Sequence, residues 1–174
     1  HNLETVYHPV AFTDSLELIP NTNNTPEGEF SSTGLTVDAD IENNLCIKAY
    51  HLLKKDFSKI PALKIHLHKA IPMGAGLGGG SADASCMLNL LNEKFRLGIS
   101  EAALMNYGLQ LCSDCHFFII NKPGIDTGRG AILEQVAVDL SMYKIVLINT
   151  VINVHTSWAF SISHPAVPQN RVKR

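Results

Sequence analysis

The segment Pro72-Met-Gly-Ala-Gly-Leu-Gly-Gly-Gly-Ser-Ala-Asp83 constrains this chain more than any other. It places five glycines in seven positions between a strand-like run and a strongly helical one. Upstream, Leu63, Ile65 and Leu67 alternate with Lys64, His66 and His68, the period of a half-buried strand. Downstream, Ala84, Met87, Leu88, Leu91 and Phe95 share one face of a helix predicted from about Ser81 to Phe95. Glycines permit positive φ and let a ligand approach bare amides closely. The start of a helix adds unpaired N–H donors and the positive end of its dipole. Strand, glycine loop and helix together make an anion site, with phosphate as the natural guest. Two familiar phosphate loops do not fit. Gly79-Gly80-Ser81 lacks the lysine of a Walker loop. Gly74-x-Gly76-x-x-Gly79 could open a dinucleotide fingerprint, but Glu93, at the distance of its acidic partner, lies inside a helical pattern.

Charge explains why such a loop is needed. With 14 Lys+Arg against 16 Asp+Glu the net charge is −2, so no basic field exists to bind nucleic acid or an anionic membrane. An anionic ligand must be held locally. Apolar residues at 45% and charged residues at 17% suit a chain with a real core. No apolar run approaches the roughly 18 residues of a membrane span, and HNLETVYHPV carries no signal pattern. A cytoplasmic protein is expected. The first residue is His1, not Met, and the chain is read as incomplete.

Elsewhere the pattern is mixed α and β. Leu3–Val10 and Ser15–Ile19 read as two strands joined by a turn near Thr13-Asp14, and Phe30–Val37 as a third. Asn43-Asn44 caps a helix from Leu45 to about Phe57, and Ser100 caps another through Leu111. Phe117–Ile120, the stretch around Gly130–Val138, and Ile145–Ile148 read as strands.

The four cysteines, at 46, 86, 112 and 115, do not form a secreted disulfide framework. Cys112-Ser-Asp-Cys115-His116 is a literal C-x-x-C-H, so a c-type haem protein is a rival reading. Covalent haem attachment implies export, which the N-terminus does not signal. A zinc site would need a second ligand pair, and none is recognisable. Both thiols are read as structural. His66 and His68 share a strand face but read as exposed polar positions, so no metal site is expected from protein side chains.

The glycine segment resembles the second signature of the GHMP small-molecule kinases, which include galactokinase and the homoserine and mevalonate kinases. Further elements follow in order: His1-Asn-Leu-Glu-Thr5, Asn43-Asn44-Leu45 with Lys48-Ala49, Lys69 to Ser81, Leu91-Asn92, Ser113-Asp114-Cys115-His116-Phe117-Phe118 and Thr127-Gly128-Arg129-Gly130. The resemblance runs from His1 to about Phe160. It implies a two-layer α/β (α+β) fold of the ribosomal-S5-like kind, with the N-terminal domain over 1–149 and the start of a C-terminal domain over 150–174. It also implies ATP-dependent phosphorylation of the 2-hydroxyl of a 2-C-methyl-D-erythritol bearing a diphosphocytidyl group, in non-mevalonate isoprenoid precursor synthesis, with Mg²⁺ on the phosphates.

By this resemblance Pro72, Met73, Gly74, Ala75, Gly76, Leu77, Gly78, Gly79, Gly80, Ser81 and Ala82 wrap the ATP phosphates. Asp114 stands where the family keeps its catalytic aspartate, a carboxylate able to take the proton of an attacking hydroxyl. His1 would read the edge of the cytosine, Phe160 would stack on it, and Thr156 would be a nearby polar contact. The family's catalytic lysine, on an earlier strand, and its later glycine/serine loop have no counterpart here. Cys112, His116, Asp126 and Thr150 depart from its usual residues. The chain alone is therefore expected to be inactive, as a fragment or a diverged copy. A nucleotide-binding module without catalysis is the alternative.

Overall fold

The computed structural model describes residues 3–22, 28–37, 40–128, 132–148 and 156–164. In chain order these form β1 (Leu3–Tyr7), β2 (Ser15–Pro20), β3 (Glu29–Gly34), α1 (Leu45–Asp56), β4 (Leu63–Lys69), α2 (Gly79–Lys94), α3 (Glu101–Leu111), α4 (Cys115–Ile120), β5 (Gly124–Gly128), β6 (Ile132–Gln135) and α5 (Thr156–Ile162).

The alternation in β4 makes it the middle strand of one sheet, ordered β2-β4-β3. It runs antiparallel to β2, with Leu18 opposite Ile65, and parallel to β3, with Phe30 opposite the same residue. A parallel neighbour requires a crossover, and α1 provides it. Leu63, Ile65 and Leu67 point into a core closed by Ala49, Tyr50 and Leu53 of α1 and Ala84, Met87, Leu88 and Leu91 of α2. On the opposite sheet face His66 meets Ser31 Oγ (2.8 Å) and Thr33 Oγ1 (3.0 Å), and His68 Nδ1 meets Thr33 Oγ1 (3.0 Å). These histidines are spent on strand hydroxyls, and among the described residues no cluster of three metal-ligating side chains occurs.

The caps lie where the sequence puts them. Asn44 Oδ1 accepts the Cys46 amide at 2.8 Å, and Ser100 Oγ accepts that of Ala103 at 3.3 Å. Asn92 brackets both backbone groups of Ile99, fixing the chain between α2 and α3.

Four expectations are corrected. β1 and β2 do not pair. β1 joins a second, antiparallel sheet ordered β1-β5-β6, with Thr5 opposite Asp126, and Asp14 leaves the intervening turn to bond the chain beyond β4. Residues 117–120 are helical, within α4. A short apolar run fits a buried strand or a buried helix equally well, and Phe117–Ile120 is apolar at every position, with no polar alternation in the sequence to separate the two. Of the stretch around Gly130–Val138, residues 130–131 lie outside the described residues, 132–135 form β6 and 136–138 are not strand, while β5, with glycines at both ends, was not expected as a strand. Ile145–Ile148 is not a strand; its four side chains are exposed, and it has no ladder partner among the described residues.

Leu88 is fully buried beneath α1 and β4. Leu88→Ala should lower unfolding free energy by about 2–5 kcal/mol, read as a lower urea midpoint at unchanged denaturant slope.

Candidate functional site

The chain leaves β4 at Lys69 and enters α2 at Gly79, two residues earlier than the sequence pattern suggests. Between them Gly74, Gly76 and Gly78 hold φ of 70, 73 and 66°. At Gly78 two demands coincide. It caps α2 in the left-handed region, and a Cβ there would stand 2.7 Å from the Phe118 ring. The amides of Gly76 through Ser81 donate to no described acceptor; the first helical bond is Ala82 N–H to Gly78 O at 2.9 Å. They are the unpaired donors of the helix start, extended backwards by the loop.

A buried charge cluster fixes both ends of this loop. Lys69 Nζ bonds Asp14 Oδ2 and, at 2.9 Å, Asp83 Oδ2. The other Asp14 oxygen accepts the amides of Ala70 (2.6 Å) and Ile71 (2.8 Å). Burial by itself would raise the Asp14 carboxyl, but the bonds from Lys69, Ile71 and Ala70 outweigh it and hold Asp14 below its ordinary value. Burial opposes the Lys69 charge too, and its two carboxylate partners overcome that and raise it. For Asp83 burial wins, pushing the carboxyl up to about 6 despite Lys69.

The cluster stands between two cavities. One, of about 530 Å³, is lined by Pro72 to Ser81 together with Asn43, Asn44, Lys69 and Asp114. The other, about 590 Å³, lies across the loop among Tyr7, Phe12, Asp14, Asn89, Phe117 and Phe118, with Ala82 in its wall. Gly76, Leu77, Gly78, Asp83 and Asp114 border both. Asp114 is half-buried at the N-cap of α4, where its side chain caps no amide and its Oδ1 accepts Ser113 Oγ at 3.2 Å. Its carboxylate is free for other work. Tyr7, stacked on Phe117 at 5.1 Å, has its phenol raised by burial and by the charges of Asp114 and Asp126.

The structure thus gathers Asp114 with Pro72–Ala82 around shared space. His1 lies outside the described residues. Thr156 and Phe160 fall in α5, and their side chains are not among those described. Cys112 and Cys115 are bonded to each other, and His116 is buried with Nδ1 against Ser113 O (2.5 Å). This His faces inward and is not presented to a haem as a C-x-x-C-H ligand would be. Its Nε2 is 3.9 Å from Asp126 Oδ1, so two of the departures from the family pattern meet each other.

Sequence reasoning missed Asp14, Lys69, Asp83 and Tyr7. A signal existed for two of them. Lys69 continues the odd-numbered, buried parity of β4, and Asp83 precedes Met87 by one helical turn on the buried face of α2. A cation and a carboxylate both sent inward need each other. Asp14, 55 positions from Lys69, gives no such sign.

A family model for the GHMP kinases N terminal domain matches residues 44–121. The fold over those residues is that of the GHMP kinase N-terminal domain. The matched span includes the glycine loop, Lys69, Asp83 and Asp114. The chain is 43% identical over 173 residues to a 4-diphosphocytidyl-2-C-methyl-D-erythritol kinase of Bacteroides thetaiotaomicron, covering 99% of this chain and 63% of that protein. The like-named kinase of Cytophaga hutchinsonii is 40% identical over 161 residues, 92% of this chain and 58% of its own. A solved 4-(cytidine 5'-diphospho)-2C-methyl-D-erythritol kinase superposes with a TM-score of 0.66 at 27% identity, covering 80% of this chain and 47% of that one. The chain spans less than two thirds of the length of these relatives. No helix among the described residues is long and apolar enough to cross a membrane.

Because the folded Asp83 carboxyl is raised above its ordinary 3.8, its contribution to stability is fully present at low pH and is lost as pH rises through about 6. The stability difference between wild type and Asp83→Asn should shift steadily against the wild type across that interval and level off above it. Urea titrations in matched buffers measure this.

Proposed function

We propose that this domain serves the ATP-dependent phosphorylation of the 2-hydroxyl of 4-diphosphocytidyl-2-C-methyl-D-erythritol, a step in non-mevalonate isoprenoid precursor synthesis. The observation that carries the reading is that Asp114 borders both cavities, one walled by unpaired amides and the other by aromatic and polar side chains. ATP phosphates fit the first, where the amides of Gly76–Ser81 and the dipole of α2 supply the attraction that a net charge of −2 cannot. The acceptor fits the second, with its hydroxyl directed at Asp114.

Catalysis then follows from position. Asp114 takes the hydroxyl proton as that oxygen attacks the γ-phosphorus, and the bond to the β-bridging oxygen breaks, releasing ADP. Lys69 is committed to Asp14 and Asp83, so its role is to hold the loop rather than to meet the transferred group. Among the described residues no three metal-ligating side chains converge. Mg²⁺ would be held by phosphate oxygens, with Ser81 at the helix start as the hydroxyl the loop offers. Bound there, it neutralises charge on the phosphates. His1, Phe160 and Thr156 are proposed to select cytosine, and residues 150–174 to begin the second domain.

Asp114→Asn should lower phosphoryl transfer about 10²–10⁴-fold in the intact protein while leaving ATP affinity within about threefold, the mark of a group acting in the transition state. Transfer from γ-labelled ATP to the diphosphocytidyl polyol, beside calorimetric titration of ATP, separates the two. Transfer undiminished in the variant contradicts the assignment. ATP binding with no transfer by the wild type identifies a nucleotide-binding module without catalysis.

A further inference from the structure

The residues flanking Asp114 carry chemistry that phosphoryl transfer does not use. Cys112 ends α3 in extended backbone, Cys115 opens α4, and their sulfurs are bonded across Cα atoms 5.6 Å apart. That separation is the usual one for a disulfide. Asp114 is one of only two residues enclosed between them.

The two sulfurs differ in access. Cys112 is half-buried and reachable from solvent, whereas Cys115 is fully buried, with its Cβ close beneath Gly108 of α3. Such a pair offers an outer sulfur for attack and an inner one to resolve the product. Cys115 Sγ has a second partner as well. It lies 3.6 Å from Ser81 O, in the first turn of α2, where a thiol S–H could donate. Ser85 Oγ holds the Cys115 carbonyl at 2.8 Å, so the backbone of this residue is anchored whichever partner its sulfur takes. The sulfur therefore has two alternative bonds, one closing the Asp114 loop and one reaching the glycine-loop helix.

We propose that Cys112 and Cys115 are a reversible dithiol–disulfide site, oxidised by low-molecular-weight disulfides of the glutathione type, and that its oxidation clamps the backbone carrying Asp114. The Cys112 thiolate attacks one sulfur of the small disulfide, forming a mixed disulfide and releasing one thiolate. The Cys115 thiolate then attacks the Cys112 sulfur and expels the second. The protein loses two electrons and two protons, and the small disulfide becomes two thiols. In the reduced state the S–H of Cys115 turns to Ser81 O and the four-residue loop opens. The inference concerns the sulfurs and this loop, and does not depend on which substrate the domain serves.

The test equilibrates the whole 174-residue chain in a series of reduced and oxidised glutathione ratios, traps thiols with iodoacetamide and weighs the peptides. Cys112 and Cys115 should pass together from two alkylated thiols to one internally paired peptide. The Cys86→Ser variant, which removes the exposed free cysteine, should show the same transition. Amide exchange over residues 112–118 should be faster in the reduced form by on the order of tenfold, the worth of closing so short a loop. Cys112→Ser should exchange like the reduced wild type in every buffer. Three results overturn the proposal: a pair reducible only after unfolding, thiols that stay reduced at every ratio, or Cys112 stopping at a glutathione adduct that Cys115 never resolves.

Discussion

One buried ammonium group holds this domain's working parts in register. Lys69 ends the middle strand of the sheet, and its two carboxylate partners come from different segments: Asp14 from the approach to β2 and Asp83 from the second turn of α2. The side chain of Lys69 is 4% exposed, so neither partner can be replaced by water. Removing one partner of a buried pair typically costs about 3–5 kcal/mol, because the other charge is left uncompensated. Asp14 adds a second constraint by accepting the amides of Ala70 and Ile71, where the chain would otherwise leave the sheet with unpaired donors. The glycine loop is thereby suspended between a fixed strand end and a fixed helix start.

That suspension answers the electrostatic difficulty that the proposed phosphate site poses on an acidic chain. The donors are backbone amides, whose dipoles are oriented by the helix and need no net charge. Their exposure depends on glycine only where geometry demands it, most clearly at Gly78, between its left-handed φ and the Phe118 ring. Phe118 in turn belongs to α4, the helix that begins directly after Asp114. The ring that limits Gly78 and the carboxylate proposed to act on the substrate therefore lie within five residues of each other, and the loop and Asp114 share a common border between the two cavities.

Local pattern was enough to read the central elements. The alternation of β4, the apolar face of α2, and the Asn44 and Ser100 caps each rest on neighbours within a turn or two, and each has its expected place. The glycine segment and Asp114 were legible by motif, and the structure brings them together. What stayed hidden depends on distant partners or on uniform burial. Nothing local tells β1 to pair with β5, more than a hundred residues on, instead of with its neighbour β2. Phe117–Ile120 is apolar at every position and so carries no polar period, and helix and strand look alike. The charge cluster was half legible through the inward parity of Lys69 and Asp83; only the fold supplies Asp14.

The central claim is that the unpaired amides of Gly76–Ser81 form the anion grip. Titrating the ¹⁵N-labelled protein with inorganic tripolyphosphate and following backbone amide resonances tests it without any need for turnover. The account predicts that the largest shifts fall on Gly76 to Ser81, with smaller ones at Asn44 and Asp114 on the same cavity wall. Shifts confined to surface lysines such as Lys54 and Lys55, with the glycine amides unmoved, would contradict it.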